Sequence, residues 1–142
     1  ATGKVIARCT RQHRSIDFVA FLRDIDASVE AGLDVHVVLD NLSAHKSPLV
    51  KRWLIRHPRF QLHFTPTYAS WLNLVERFFG LLTEEALKRG SHTSIPQLRA
   101  AILAYVDAHN DQGKPFKWTK TADEILDKMR RFGTRTQTVH AQ

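Results

Sequence analysis

The chain has 142 residues, one domain's worth of polypeptide, and its hydrophobic fraction of 43% supplies a core without disulfide staples. A single cysteine, Cys9, excludes intramolecular disulfides and cysteine-based zinc sites, and apolar runs of only a few residues exclude a membrane span. Lys and Arg number 21 against 14 Asp and Glu, and the net charge of +7 points toward a polyanionic partner, most often nucleic acid.

The N-terminus carries no charged-then-apolar signal pattern, so a reducing, cytoplasmic setting is expected. The chain opens at Ala1-Thr2-Gly3 without a methionine, as a piece of something longer is expected to do. Residues 3–10, GKVIARCT, read as a strand rich in β-branched and small residues. Ser15 is the expected N-cap of a helix with Phe18, Phe21, Leu22, Ile25 and Val29 on one face, stopped by Gly32. Val35-His36-Val37-Val38-Leu39 is nearly all apolar and β-branched, the pattern of a parallel strand buried on both faces. Ser47-Pro48 then starts a helix that must end before Pro58.

Phe60-Gln61-Leu62-His63-Phe64 alternates, which predicts a strand with one wetter face. Ser70 caps a long expected helix with an apolar stripe of Trp71, Leu72, Val75, Phe78, Phe79 and Leu82, closing at Lys88-Arg89-Gly90. Ser94 with Gln97 forms a capping-box pattern for a helix through Leu98, Ile102 and Tyr105. Asn110–Lys117 reads as a loop, and Thr121 with Glu124 opens a last helix ending at Gly133. The order predicts an α/β fold, a mostly parallel sheet covered by helices.

Working residues in such sheets gather beyond the carboxyl ends of the strands, where Asp40 and Asn41 stand. On residue types alone the commoner reading of that pair is a turn. Glu76 shares a helix face with Asn73, Gly80 and Thr83, a narrow polar strip on an otherwise apolar helix. Alone, it reads more often as an ordinary solvated glutamate. Together, a strand-end Asp and a helical Glu can hold a hard cation such as Mg²⁺, which prefers carboxylate oxygens and keeps several waters. The eight histidines include no His-Glu-x-x-His or closely spaced pair, which argues against zinc. No glycines form a nucleophile elbow or a phosphate cradle. Lys114, Lys117 and Lys120, interleaved with Phe116 and Trp118, either grip DNA or pin the tail to the core.

Three stretches carry a family resemblance. The run from Val38 to Ser47, VLDNLSAHKS, resembles the second-carboxylate segment of DDE-superfamily transposases, in the bacterial insertion-sequence group related to mariner elements. The run from His63 to Phe79, HFTPTYASWLNLVERFF, is similar to that group's third-carboxylate motif, and KPFKWTKTA at 114–122 to its closing motif. The 35 residues between Asp40 and Glu76 are close to that group's spacing.

The resemblance implies a ribonuclease H-like (integrase-like) core, a mixed sheet flanked by helices, with residues 1–112 a partial catalytic domain and 113–142 a loop, helix and tail packing on it. It implies metal-dependent cleavage and strand transfer at DNA phosphodiesters, with two Mg²⁺ or Mn²⁺ ions held by three carboxylates. Asp40 and Glu76 match the second and third. In that family the first lies on a strand well upstream of the segment that Ala1–Thr10 resembles, so the resemblance implies that it falls before Ala1, together with the first strand. Asp17, Asp24, Asp26 and Asp34 do not replace it, the first three lying on an expected helix and Asp34 ahead of its strand. Asn41 and Asn73 would support the site. Lys46, Arg77, Lys88, Arg89, Lys114 and Lys117 would contact DNA, namely transposon ends and target. The parent protein would be a nucleoid-associated bacterial homodimer, away from membranes. The alternative is a catalytically dead, truncated remnant with only weak non-specific DNA binding. Another ribonuclease H-like nuclease is disfavoured by the 70–76 motif.

Overall fold

The computed structural model describes residues 3–65 and 73–113 together with positions 123, 124 and 127; for Asn73, Leu74 and Glu76 it describes the backbone alone. The expected cap Ser70, the aromatic Trp71, Lys114, Lys117 and nearly all of the last expected helix lie outside the described residues. The described chain falls into two compact units, one of residues 13–65 and one of residues 3–12 with 73–113.

The 13–65 unit runs α1 (Ser15–Ser28), β1 (Val35–Leu39), a 3-10 turn (Ser43–Lys46), α2 (Pro48–Arg56) and β2 (Phe60–Phe64). β1 and β2 are parallel, with Val35 opposite Phe60 and Leu39 opposite Phe64, as a helical crossover between strands requires. Val19 and Leu22 of α1, Val50 and Trp53 of α2, Val35 and Phe60 form one buried cluster, joined by Val37 and Leu62. Leu22 and Val50 are fully buried, each contributing about 1.5–3 kcal/mol by area removed from water. The opposite sheet face carries His36, whose Nδ1 lies 2.9 Å from His63 Nε2. Val38 on that face is 40% exposed. The apolar run 35–39 therefore marks a strand covered on one face among the described residues, not on both.

Local chemistry sets the boundaries. α1 starts one residue earlier than its expected cap: Arg14 is the N-cap, and its backbone N–H donates to Asp17 Oδ2 at 3.2 Å. The Arg14 side chain donates to the same oxygen at 3.1 Å and holds the Asp17 carboxyl below its ordinary pKa. The helix ends at Ser28, before Gly32, which occupies the following turn at φ 91°, a conformation that favours glycine. Ser47 caps α2 as expected, its Oγ accepting the Val50 N–H at 3.4 Å. Arg59, just ahead of β2, donates to Asp26 Oδ1 at 2.7 and 2.9 Å. The same side chain reaches the carbonyls of Asp26 and Glu30, both at 2.9 Å, and so satisfies the end of α1.

In the other unit α3 (Asn73–Leu82) continues into a π-helical turn (Thr83–Leu87), and α4 spans Ile95–Asp111. The Lys88 N–H reaches back to the Thr83 carbonyl at 2.9 Å. The Thr83 hydroxyl bonds the Phe79 carbonyl at 2.8 Å, the kind of side-chain competition that loosens a helix. Leu82 and Val106 are buried, and the Phe78 ring meets Tyr105 at 6.0 Å and His109 at 5.3 Å. Val75 and Phe79, expected in the apolar stripe, are 54% and 57% exposed. Ser94 caps α4 as expected, while the Gln97 side chain accepts from the Thr93 N–H at 3.0 Å. α4 continues through Asn110 and Asp111, positions the sequence assigned to a loop.

Residues 3–10 form no strand. The Val5 N–H donates to Asn110 Oδ1 at 2.7 Å, and Asn110 Nδ2 donates to the Val5 carbonyl at 2.9 Å. One side-chain amide thus takes the place of a ladder neighbour, and the β-branched composition alone made no sheet. Among the described residues no helix is long and apolar enough to cross a membrane.

Candidate active site

β1 ends at Leu39 and delivers Asp40 to the carboxyl end of a parallel sheet, where side chains leave the packed core. Beside it the chain exits β2: the Thr65 N–H donates to the Leu39 carbonyl at 2.8 Å, and Thr65 is buried. Thr65, the residue after β2, is thus fixed against the end of β1. The Asp40 side chain is 62% exposed. Its Oδ1 accepts the Leu42 N–H at 3.3 Å, closing the Asx-type turn that residue types favoured. That turn engages one carboxylate oxygen and leaves Oδ2 for another partner.

The 3-10 turn then folds His45 back onto the same residue. His45 Nδ1 lies 3.2 Å from Asp40 Oδ1 and 3.4 Å from the Asp40 carbonyl oxygen. Its side chain is 17% exposed, with the ring 4.2 Å from that of Phe18 on α1. In the sequence His45 stood only within the Val38–Ser47 run, with no role of its own. The available signal was a histidine five residues beyond a strand-end aspartate.

Asn41 is exposed beside Asp40. Glu76 falls on α3, within the other unit, as does Asn73; both side chains lie outside the described set. Among the expected DNA contacts, Lys46 is exposed, with its Nζ 4.7 Å from the centre of the Phe64 ring. That cation–π contact holds a positive charge six residues after Asp40. Arg77, Lys88 and Arg89 are exposed on the α3 side of the chain. Arg89 also lines a cavity of about 400 Å³ with Glu85, Tyr105, Ala108, His109 and Gln112. Burial first, and then the Glu85 carboxylate, raise the Tyr105 hydroxyl above its ordinary pKa.

Among the described residues no three His, Cys, Asp or Glu side chains cluster tightly enough to hold a metal. The donor chemistry at Asp40 nevertheless suits a hard divalent cation. It offers an exposed carboxylate with one oxygen engaged and the other without a partner among the described residues, and such ions accept few protein ligands alongside water.

Two comparisons with known proteins bear on this arrangement. The family described as DDE superfamily endonuclease matches residues 1–99, a span that includes positions 40 and 76. The "Insertion element IS630 uncharacterized 39 kDa protein" of Shigella sonnei is 26% identical over 106 residues. The match covers 75% of this chain and 31% of that relative, so the chain spans about a third of the relative's length.

Proposed function

From the premise that this chain belongs to the DDE superfamily endonucleases, we propose that it forms part of the catalytic domain of an insertion-sequence transposase. In this reading Asp40 and Glu76 are two of the carboxylates that hold divalent metal, Mg²⁺ or Mn²⁺, at a DNA phosphodiester. The observation that carries it is the conjunction of a family match across both acids with an exposed Asp40 carboxylate at the end of a parallel strand. A ribonuclease H-like core is the fold this implies: residues 1–112 as the partial catalytic domain and 113–142 as a segment packed on it. The parent protein would act as a homodimer on transposon ends and target DNA, in the bacterial nucleoid.

Bound metal supplies Lewis-acid activation of the attacking oxygen and charge neutralisation at the leaving oxygen. The chain's own residues do the rest. Asp40 presents Oδ2 while Leu42 restrains Oδ1, so the carboxylate is oriented before any ion arrives. Asn41 and Asn73 support the acids that follow or precede them, offering amide donors to phosphate oxygens. Lys46, Arg77, Lys88, Arg89, Lys114 and Lys117 hold the DNA backbone, the last two from a segment that also carries Phe116 and Trp118.

Fluorescence anisotropy with a duplex oligonucleotide, with Mn²⁺ and with EDTA, tests the reading. Wild-type protein is expected to bind more tightly with Mn²⁺. Asp40→Asn raises basal affinity slightly by removing a negative charge and abolishes the metal response. An equal metal response in both proteins would contradict the assignment of Asp40.

A further inference from the structure

We propose that His45 is a positioning residue for Asp40, fixing the rotamer in which the carboxylate presents its open oxygen to metal. The inference rests on the reading of Asp40 as a metal ligand. A carbonyl oxygen can only accept, so the contact between His45 Nδ1 and the Asp40 carbonyl requires the proton on Nδ1. That N–H bonds the backbone oxygen at 3.4 Å, and the same ring nitrogen stands 3.2 Å from Oδ1 of that residue, close enough for an electrostatic contact. It therefore couples the direction of the side chain to the end of β1. The Leu42 N–H donates to the same Oδ1, so that hydrogen bond and the nearby imidazole restrain one oxygen while the other has no partner among the described residues.

The imidazole is itself fixed. It sits on a 3-10 turn directly before the Ser47 cap of α2, with its ring against Phe18 and its side chain largely buried. α1, α2 and the turn thus converge on an exposed carboxylate through one histidine. Outer partners of this kind commonly set metal affinity by a factor of roughly 10–100, because a ligand free to rotate must be ordered on binding. Asp40, 62% exposed at a strand end, has no other side chain against its carboxylate among the described residues.

The test is Mn²⁺ affinity of the chain itself, read from the free-ion signal by electron paramagnetic resonance, with thermal melting alongside. Asp40→Asn identifies the part of the binding that belongs to Asp40. His45→Asn places an amide N–H where Nδ1 stands, whereas His45→Gln is of similar polarity but reaches past that position. Both lose the ring contact with Phe18, so melting falls alike in the two. The proposal expects the Asp40-dependent affinity to drop about tenfold or more in His45→Gln and to stay within about threefold of wild type in His45→Asn. Equal affinities in the two variants, whether both preserved or both lost, would overturn it while leaving Asp40 as a ligand. Mn²⁺ binding that Asp40→Asn leaves untouched would instead remove the underlying reading, and the inference with it.

Discussion

Arg59 is the most heavily bonded side chain in the 13–65 unit, and removing it measures how firmly α1 is fastened beneath the strand that ends at Asp40. Its guanidinium forks onto Asp26 Oδ1 at 2.7 and 2.9 Å and reaches the carbonyls of Asp26, Glu30 and Leu33 at 2.9, 2.9 and 3.2 Å. The Arg59 carbonyl meanwhile accepts the Val35 N–H at 2.8 Å, so the residue links the end of α1 to the starts of both strands. The Arg59 and Asp26 side chains are 22% and 33% exposed, so water reaches part of what Arg59→Ala would vacate. The several bonds therefore do not add. One charge-assisted contact in partial burial is worth about 1.5–3 kcal/mol, and rehydrated carbonyls recover most of the rest. We expect Arg59→Ala to cost ~2–3 kcal/mol. At roughly 4 °C per kcal/mol for a chain of this size, Tm should fall by about 8–12 °C. Arg59→Lys keeps the charge beside Asp26 but lacks the planar fork, and should recover less than half the loss. Circular dichroism melts of the three proteins read this directly. A loss in Arg59→Ala below about 0.5 kcal/mol, or a lysine variant that melts with wild type, would refute the reasoning.

Tyr105 should titrate above the ordinary tyrosine range, and Glu85→Gln should bring it part of the way back, since burial is the larger cause and the carboxylate the smaller. Because folding raises this pKa, the associated stability is complete below the unfolded value near ~10 and is lost as pH climbs through the folded one. Tyrosinate absorbance at alkaline pH reports the shift; an unchanged titration in Glu85→Gln would contradict the pairing. Duplex DNA binding should be sequence-independent, with log K falling linearly in log salt, and Arg89→Ala should reduce the slope by about 1. Binding that ignores salt would exclude phosphate contacts as its basis. Ser47→Ala should cost ~0.5–1 kcal/mol, the low end for an N-cap because the bond to the Val50 N–H is long at 3.4 Å; a denaturant midpoint equal to wild type would show the cap to be idle.

Sequence reasoning located the elements whose signals are local. The Val35–Leu39 run and the alternating Phe60–Phe64 run both became strands at their expected bounds, because neighbouring β-branched and aromatic residues suit a pleated surface. Ser47-Pro48 and Ser94 began their helices as expected, each cap carrying its own hydroxyl. What failed depended on distant partners. Residues 3–10 look as strand-like as 35–39, yet Val5 bonds to Asn110 on α4, a neighbour 105 positions away that no local pattern encodes. The π turn after Leu82 is a different case: a threonine hydroxyl competes for a carbonyl only four residues back, a local signal that the apolar periodicity of the helix does not carry. At the candidate site the strand-end position of Asp40 was legible, because topology alone puts it there. The clamp by His45 was not, since it requires the 3-10 turn to fold the imidazole back over five residues.

The central claim is that Asp40 and Glu76 serve one metal site, and paramagnetic broadening by Mn²⁺ in the ¹⁵N-labelled chain tests it most directly. The account predicts that amide signals of Asp40–Leu42 and of Glu76–Phe78 broaden together, at the same metal concentration. It also predicts that Asp40→Asn removes both effects. Broadening confined to one segment, or a response at Glu76 that survives Asp40→Asn, would contradict it.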